Sequence, residues 1–85
     1  MSREQIERRG EVLIARLPVD VDLANAAEIG ARLGAAVAPE TRALIVDLSA
    51  TRYLDSAGLD MLLRLSGMLR QGRRRLRSRL GRTGS

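Results

Sequence analysis

The chain of 85 residues contains no histidine, no cysteine and no lysine. A Ser-His-Asp triad, a lysine-assisted serine nucleophile, a Schiff base and a P-loop lysine each need one of these missing side chains. Without thiols the chain can form neither a disulfide framework nor a thiolate metal site. The composition therefore excludes these catalytic classes.

Aromatic residues and long apolar runs are also scarce. Tyr53 is the only aromatic residue, so the core must consist of leucine, valine, isoleucine and alanine. No apolar run approaches the roughly 18–20 residues that cross a bilayer, and the N-terminus has no signal-peptide pattern. We therefore expect a cytoplasmic protein without membrane contacts. Residues 1–80 are predicted to form a single domain, and the polar residues 81–85 a frayed tail.

The positive charge is concentrated at one end of the chain. All 15 basic residues are arginines. Residues 1–69 contain 8 arginines and all 10 acidic residues, a net charge of −2, whereas residues 70–85 contain 7 arginines and no acid. The body of the protein is thus mildly acidic, which argues against a nucleic-acid-binding face on the fold itself. Arginine-rich runs are usually solvated, and some contact nucleic acids or anionic surfaces.

Two apolar runs, within residues 11–17 and 43–48, are typical of strands covered on both faces. The connection between them is long enough for a helix, so they are predicted to be parallel strands of a right-handed βαβ unit. Residues 1–10 are predicted to form an edge strand that ends in a turn at Gly10. The alternating segment 75–80 has a weaker strand pattern. The fold class is therefore α/β, with a small mixed β-sheet and helices packed on it.

Two segments have the apolar periodicity of helices packed on a sheet. The first runs from about residue 23 to residue 37, and Asp22 is its predicted N-cap. The second runs from about residue 57 to residue 69, and Gly72 is predicted to end it.

The stretch Tyr53–Leu59 connects the second buried strand to the second helix, at the end of the sheet where sites in parallel folds gather. It places Asp55 and Ser56 at the helix start, where their side chains can accept hydrogen bonds from unpaired backbone N–H groups. Helix N-termini also favour anions such as phosphate. From the residues alone, the Ser56 hydroxyl is a cap, a nucleophile or a phosphate acceptor, and a cap is the commonest of these. Tyr53 and Leu54 are expected to pack inward.

The remaining acidic residues indicate no metal site. Neither the pair Asp20 and Asp22 nor the pair Asp55 and Asp60 has a spacing that identifies a glycosidase or a metal ligand set. Acids spaced in this way commonly cap helices or are solvated. We therefore expect no metal.

A resemblance to a known family rests on two motifs. Asp47-Leu48-Ser49 followed by Leu54-Asp55-Ser56-Ala57-Gly58-Leu59 resembles the signature of the STAS domain, found in bacterial anti-sigma-factor antagonists. Upstream, Val21-Asp22-Leu23-Ala24-Asn25-Ala26 resembles the strand-to-helix segment of that family. The spacing between the motifs also fits, and the match covers roughly residues 10–80. Full members continue with a further helix and strand beyond the segment that residues 76–80 would match.

The resemblance implies a phosphorylation-switched binding module that is not an enzyme, and we expect it to use no cofactor. In that family the serine of the Asp-Ser element accepts phosphate from a partner anti-sigma factor, a serine kinase that uses ATP, which implies Ser56 here. The unphosphorylated domain binds the anti-sigma factor and frees a sigma factor, and phosphorylation releases the domain. In this interpretation, Asp55 would help to position the Ser56 hydroxyl and would cap the helix. Gly58 would let the kinase approach, and Asp22 would hold the neighbouring strand-to-helix loop beside the site.

Two alternatives remain. One is a small nucleic-acid-binding protein that uses its arginine-rich C-terminal segment, although a nucleic-acid partner is less expected than a protein partner. The other is an aspartate-phosphorylated receiver with Asp47 as the acceptor, which is weakened by the absence of the acidic pair and the lysine that such receivers use.

Overall fold

The computed structural model describes residues 3–80. The elements in chain order are β1 (Gln5–Arg9), β2 (Val12–Arg16), β3 (Asp20–Val21), α1 (Ala26–Ala36), β4 (Ala43–Asp47), β5 (Tyr53–Leu54), α2 (Ser56–Gln71) and β6 (Arg75–Arg79). The predicted α/β fold class is confirmed. The predicted tail at residues 81–85 lies outside the described residues.

The main sheet has four strands in the order β1-β2-β4-β6. β1 and β2 form an antiparallel hairpin, and Gly10 at its turn has a φ of +60°, a conformation that glycine adopts without strain. β2, β4 and β6 are mutually parallel, with Leu13 opposite Leu44 and Leu44 opposite Leu76. The predicted edge strand, the parallel βαβ unit and the strand near residue 76 are all confirmed.

The two faces of this sheet differ in what covers them. On the inner face, Leu13, Ala15, Leu44 and Val46 are buried and belong to the same core cluster as the apolar residues of both helices. Complete burial of one such leucine contributes about 1.5–3 kcal/mol. On the outer face, alternate residues of β2 and β4 are only half-buried, and no helix or strand of residues 3–80 packs on them. The prediction that these strands are covered on both faces was therefore wrong.

Helix α1 begins later than the periodicity predicted, and Asp22 is not its N-cap. The Asp22 carboxylate accepts the backbone N–H of Ala24 at 3.0 Å, an Asx turn that keeps residues 22–25 out of the helix. Asn25 occupies the N-cap position without a side-chain capping bond. The predicted cap failed because the aspartate bonds to its own loop before the helix begins.

Helix α2 is longer than predicted by a residue or two at each end, and it ends at Gly72 as expected. Met61, Leu62, Leu65 and Leu69 form its buried stripe against the sheet and α1. No helix within residues 3–80 combines the length and the apolar character needed to cross a bilayer.

Candidate functional site

A second, two-stranded sheet organises the end of the molecule that contains Ser56. β3 and β5 pair in parallel, with Asp20 opposite Tyr53 and Val21 opposite Leu54. Because β3 leads into α1 and β5 leads into α2, this pairing brings the loop before α1 next to the start of α2. The two sequence motifs, about thirty residues apart along the chain, therefore meet at one place.

The Asp55 carboxylate joins these two segments. One oxygen, Oδ1, accepts the backbone N–H of Gly58 at 3.0 Å and caps α2. The other oxygen, Oδ2, accepts the backbone N–H of Leu23, in the loop before α1, at 3.2 Å. Asp55 is thus the N-cap of its own helix and the anchor of the neighbouring loop. The sequence predicted that Asp55 caps the helix and helps to position the Ser56 hydroxyl. The hydrogen bonds that its carboxylate accepts within residues 3–80 come from Gly58 and Leu23.

The loop before α1 is held in place by its own polar side chains. The Asn25 side chain accepts the N–H of Asp22 at 2.9 Å and donates to the carbonyl of Asp20 at 2.9 Å. Together with the Asx turn of Asp22, these bonds fix the backbone that presents Leu23 to Asp55. Asp22 therefore shapes the loop beside the site, the position that the resemblance implied for it.

Ser56 is the first residue of α2, and its side chain is exposed. The cap is Asp55, so the interpretation of Ser56 as the helix cap was wrong. At the first helical position the surrounding N–H groups and the helix dipole favour an anion. An exposed hydroxyl at this point is accessible to a modifying enzyme, and a phosphate placed on it would not oppose the helix dipole.

Gly58 is buried in the first turn of α2. A Cβ atom on this residue would lie 2.6 Å from Leu54 Cδ1 and 2.9 Å from the backbone oxygen of Val21. The surface that approaches Gly58 closely is therefore the chain's own β3–β5 sheet. The expectation that Gly58 leaves room for an incoming kinase is corrected: the glycine lets α2 begin close to β3.

Several large apolar side chains are exposed around the start of α2. Leu23 is 82% exposed, Tyr53 54% and Leu59 51%. Leu23 directly follows Asp22, Tyr53 lies in β5, and Leu59 is one helical turn beyond Ser56. The prediction that Tyr53 packs inward was wrong, because β5 pairs only with the two residues of β3 and forms the rim of the site. Leu54 is partly covered, and its Cδ1 atom lies against Gly58. We refer to Leu23, Tyr53 and Leu59 as the apolar rim.

The sequence did not identify the apolar rim as functional. The available signal was Leu59, which lies beside the buried stripe of α2 and is not needed for the core. The apolar periodicity predicted that Leu23 belongs to the apolar stripe of α1. This was wrong, because α1 begins only at Ala26. An open apolar groove of about 460 Å³ between the two helices continues from this rim, with Leu23, Ala57 and Met68 among its lining residues.

Asp47 lies at the end of β4 and is only 3% exposed. Its carboxylate accepts the backbone N–H of Ser49 at 2.9 Å and a guanidinium N–H of Arg79 at 3.0 Å. The Ser49 bond is the main cause that lowers the pKa of Asp47 to about 2, and Arg79 adds to it against the effect of burial. A buried carboxylate with these partners is a structural connection between strands, which speaks against Asp47 as a phosphate acceptor.

No group of three or more potential metal-ligating side chains occurs within residues 3–80. The acids near the site form other contacts: Asp60 pairs with Arg64 at 2.7 Å, one turn along α2. What the site offers is therefore a fixed helix start, an exposed hydroxyl and exposed apolar side chains.

A family profile, described as the STAS domain, matches residues 4–77. The chain belongs to the STAS domain family. Among curated proteins, none matches this STAS domain. The match begins before β1 and ends within β6.

Solved structures similar to this STAS domain come from different proteins. An anti-sigma factor antagonist from Mycobacterium paratuberculosis superposes with a TM-score of 0.75 at 27% identity, over 89% of this chain and 66% of that one. A protein described as Mglu has a TM-score of 0.77 at 16% identity, over 87% of this chain and 18% of its own. The murine Solute Carrier 26 family member A9 anion transporter has a TM-score of 0.64 at 20% identity, over 87% of this chain and 12% of its own.

The last two similarities, at low identity, show the fold alone. The STAS domain spans less than a fifth of Mglu and of the transporter, and 66% of the antagonist. The same fold therefore occurs as a minor part of large proteins and as most of a small regulatory one.

Proposed function

We propose that this STAS domain is an anti-sigma-factor antagonist: a non-catalytic module that binds an anti-sigma factor and thereby frees a sigma factor. The observation that carries the proposal is the exposed Ser56 hydroxyl at the capped start of α2, surrounded by the apolar rim. The similarity to an anti-sigma factor antagonist supports the same role. The proposed partner is a serine kinase that uses ATP and acts with this domain in the bacterial cytoplasm.

The apolar rim accounts for binding of the unphosphorylated domain. Exposed apolar side chains next to a polar helix start are typical of the centre of a protein interface. Tyrosine is among the residues that most often dominate the affinity of an interface, and covered leucines beside it add buried apolar area. We propose that Leu23, Tyr53 and Leu59 contact the anti-sigma factor together with Asp22, Asp55 and Ser56, and that Gly58 keeps this surface in place by its packing.

Phosphorylation of Ser56 would weaken this complex through electrostatics. A phosphate adds about −1.5 to −2 charges at pH 7. The neighbouring acids Asp22 and Asp55 are already negative, and covering the site would require a dianion to be desolvated beside them. The fold tolerates the phosphate because it lies at the positive end of the helix dipole. The switch therefore acts on the interface and leaves the domain folded.

The decisive experiment incubates the domain with purified anti-sigma kinases of its source organism and ATP, followed by intact mass and site mapping. We expect one phosphate on Ser56 and none on Ser56→Ala. Binding of the kinase to Ser56→Asp should be weaker than to the wild type by about 1–3 kcal/mol, about 5- to 150-fold. Ser56→Ala should bind like the wild type.

Two controls separate charge from shape and position. Ser56→Asn has nearly the shape of the aspartate variant without its charge, and it should retain binding. Gln71→Glu adds a charge at the other end of α2, about 22 Å away, and should also retain binding. Equal binding of Ser56→Asp and the wild type, or phosphorylation at another residue, would overturn the proposal.

A further inference from the structure

The apolar groove between α1 and α2 extends along the two helices beyond the apolar rim. Its floor consists of core residues of both helices, Ala26, Met61 and Leu65. Its walls are the facing sides of α1 and α2, which pack against each other and against the sheet. Both walls and the floor therefore consist of residues within 3–80, and none of them belongs to β6.

The groove exists because the side of α1 that faces α2 carries small residues at intervals of one turn. A Cβ atom on Gly30 would lie 2.8 Å from Met61 Cγ, so the two helices are in close contact at this point. A Cβ atom on Gly34 would lie 3.7 Å from Met68 Cε, which places the end of that side chain against α1. Ala27, one turn before Gly30, is exposed and too short to cover the groove.

The groove is several residues long, and its lining has no net charge. On α2 the lining runs from Ala57 to Met68, a distance of about 16 Å or three helical turns. Eight of the ten lining residues are apolar or glycine, and the other two, Asp60 and Arg64, pair with each other at 2.7 Å. An exposed apolar groove with a polar edge is typical of a surface that another molecule covers.

We propose that the groove holds an amphipathic helix of the anti-sigma factor, which lies along α2 with its apolar side chains between the two helices. The inference rests on the proposed function, and it names the element of the partner that binds beside the apolar rim. Continuity supports this occupant: Leu23 belongs both to the rim and to the groove, and Ala57 directly follows Ser56. A partner that covers Ser56 therefore reaches the groove without a gap.

The dimensions and the chemistry of the groove fit such a helix. Helices that bind in grooves present apolar side chains at positions i, i+3 or i+4, and i+7, which span about two turns. The lining of α2 spans three turns, so three or four such side chains fit along it. Met61 and Met68 have flexible side chains that adapt to the shape of an apolar partner. The Asp60–Arg64 pair at the edge suits charged residues on the flanks of the incoming helix.

Two other occupants fit less well. A fatty acid would leave much of its chain in water because the groove is open along its length, whereas small-ligand sites bury about 70–90% of their ligand. Its carboxylate would also meet no net positive charge in the lining, since Arg64 pairs with Asp60. Within residues 3–80, a second copy of the chain offers an exposed helical row of only two large apolar residues, Leu59 and Leu63, and Gly67 follows one turn later.

The test measures binding of the purified anti-sigma kinases of the source organism to the wild type and to groove variants by calorimetry. Ala27→Glu places a carboxylate in the groove at an exposed position of α1, so the domain should stay folded. Because covering this charge requires its desolvation, binding should be weaker by about tenfold or more. Met68→Glu, at the other end of the groove, should have the same effect.

A matched control separates the groove from a general effect of charge. Ala35→Glu adds the same charge to the same helix, at an exposed position that does not line the groove. It should change the affinity by no more than about twofold. The phosphorylation reaction supplies a second readout, because groove contacts are made equally in the ground state and the transition state. Ala27→Glu should therefore raise the KM for the domain about tenfold and leave kcat unchanged.

Cross-linking identifies the element of the partner. The chain contains no cysteine, so Arg64→Cys, at the exposed edge of the groove, provides a single thiol for a benzophenone maleimide. Irradiation of the complex should link this position to a helical segment of the kinase with apolar residues at i, i+3 or i+4, and i+7, located by mass spectrometry. The same label on Arg70→Cys, on α2 but outside the groove, should give no link to that segment.

Four results would overturn the proposal. The first is equal binding of Ala27→Glu and the wild type, and the proposed function would then stand by itself if Ser56→Asp still bound more weakly. The second is an equal loss of affinity in Ala35→Glu. The third is a cross-link from position 64 to a loop or strand of the kinase. The fourth is a dimer of the domain that Ala27→Glu dissociates in sedimentation, which would make the groove an interface between copies.

Failure of the proposed switch gives a different pattern. In that case Ser56→Asp binds the kinase like the wild type, while Ala27→Glu still binds more weakly and the groove retains its role. If none of the anti-sigma kinases bound the folded wild type, both proposals would be wrong.

Discussion

At the scale of single residues, the neighbours Asp55 and Ser56 have different roles in the site. Asp55 caps α2 and anchors the loop before α1, so Ser56 next to it is not needed as a cap. A serine in that position can carry a charge or lose its hydroxyl with little effect on the helix. The sequence alone could not separate the two roles, since aspartate and serine are about equally good caps.

This division predicts unequal effects of two alanine substitutions. Asp55→Ala should lower the free energy of unfolding by about 1–2 kcal/mol, because it removes the helix cap and the bond to Leu23. The melting temperature should fall by roughly 4–8 °C per kcal/mol. Ser56→Ala, the matched control, should stay within about 0.5 kcal/mol of the wild type. If thermal unfolding showed a larger loss of stability for Ser56→Ala than for Asp55→Ala, Ser56 would be the cap of α2.

At the scale of elements, the packing of α2 against β3 requires a residue without a side chain at position 58. Gly58→Ala would place a Cβ against the backbone oxygen of Val21, which cannot move without separating β3 from β5. We expect a loss of about 1–3 kcal/mol in chemical unfolding. Gly67, also in α2, has open space where a Cβ would lie, and Gly67→Ala should stabilise the domain by about 0.5–1 kcal/mol. If both substitutions changed the free energy of unfolding by the same amount, packing against β3 would not require glycine at position 58.

Two leucines in and just after the last strand provide a second comparison, between a partly buried and an exposed position. Leu76 packs against the core opposite Leu44, whereas Leu80 is 73% exposed beyond the end of β6. Leu76→Asp should therefore lower the free energy of unfolding by about 1–3 kcal/mol, because it places a charge against apolar neighbours. The melting temperature should fall accordingly. Leu80→Asp should have little effect. If Leu76→Asp melted like the wild type, the segment would be solvated in solution.

At the scale of the whole molecule, stability should fall in acid through the connection between β4 and β6. Asp47 has its pKa lowered from 3.8 to about 2 in the folded state. A lowered pKa contributes stability that is complete above the unfolded value and is lost as the pH falls from about 4 to about 2. The expected contribution is about 2 kcal/mol. Urea unfolding at several pH values across this interval gives the dependence of the unfolding free energy on pH. This dependence should be weaker for Asp47→Asn than for the wild type, and an equal dependence would contradict the assignment to Asp47.

Much of the architecture could be predicted because its signals are local. The apolar runs of β2 and β4 identify strands, and the long connection between them requires a parallel crossover. The Asp-Ser-x-Gly stretch lies at a helix start because its residue types suit one. These elements were confirmed, with boundaries displaced by a few residues.

The remaining features depend on tertiary contacts that leave little trace in the sequence. β3 and β5 have two residues each, too few for any periodicity, and they exist because each pairs with the other. Tyr53 is exposed for the same reason: its strand lies at the rim, outside the main sheet. A run of apolar residues also looks alike whether one or both faces are covered, so the open outer face could not be predicted.

The shared carboxylate of Asp55 has a kinetic consequence that can be observed without any partner. The amide protons of Gly58 and Leu23 bond to the two oxygens of one side chain, although they are 35 positions apart in the chain. Any fluctuation that turns this carboxylate away exposes both protons to solvent in the same event. The hydrogen-exchange rates of these two amides should therefore rise and fall together in the unmodified domain, so that two amides distant in the sequence report the position of one carboxylate.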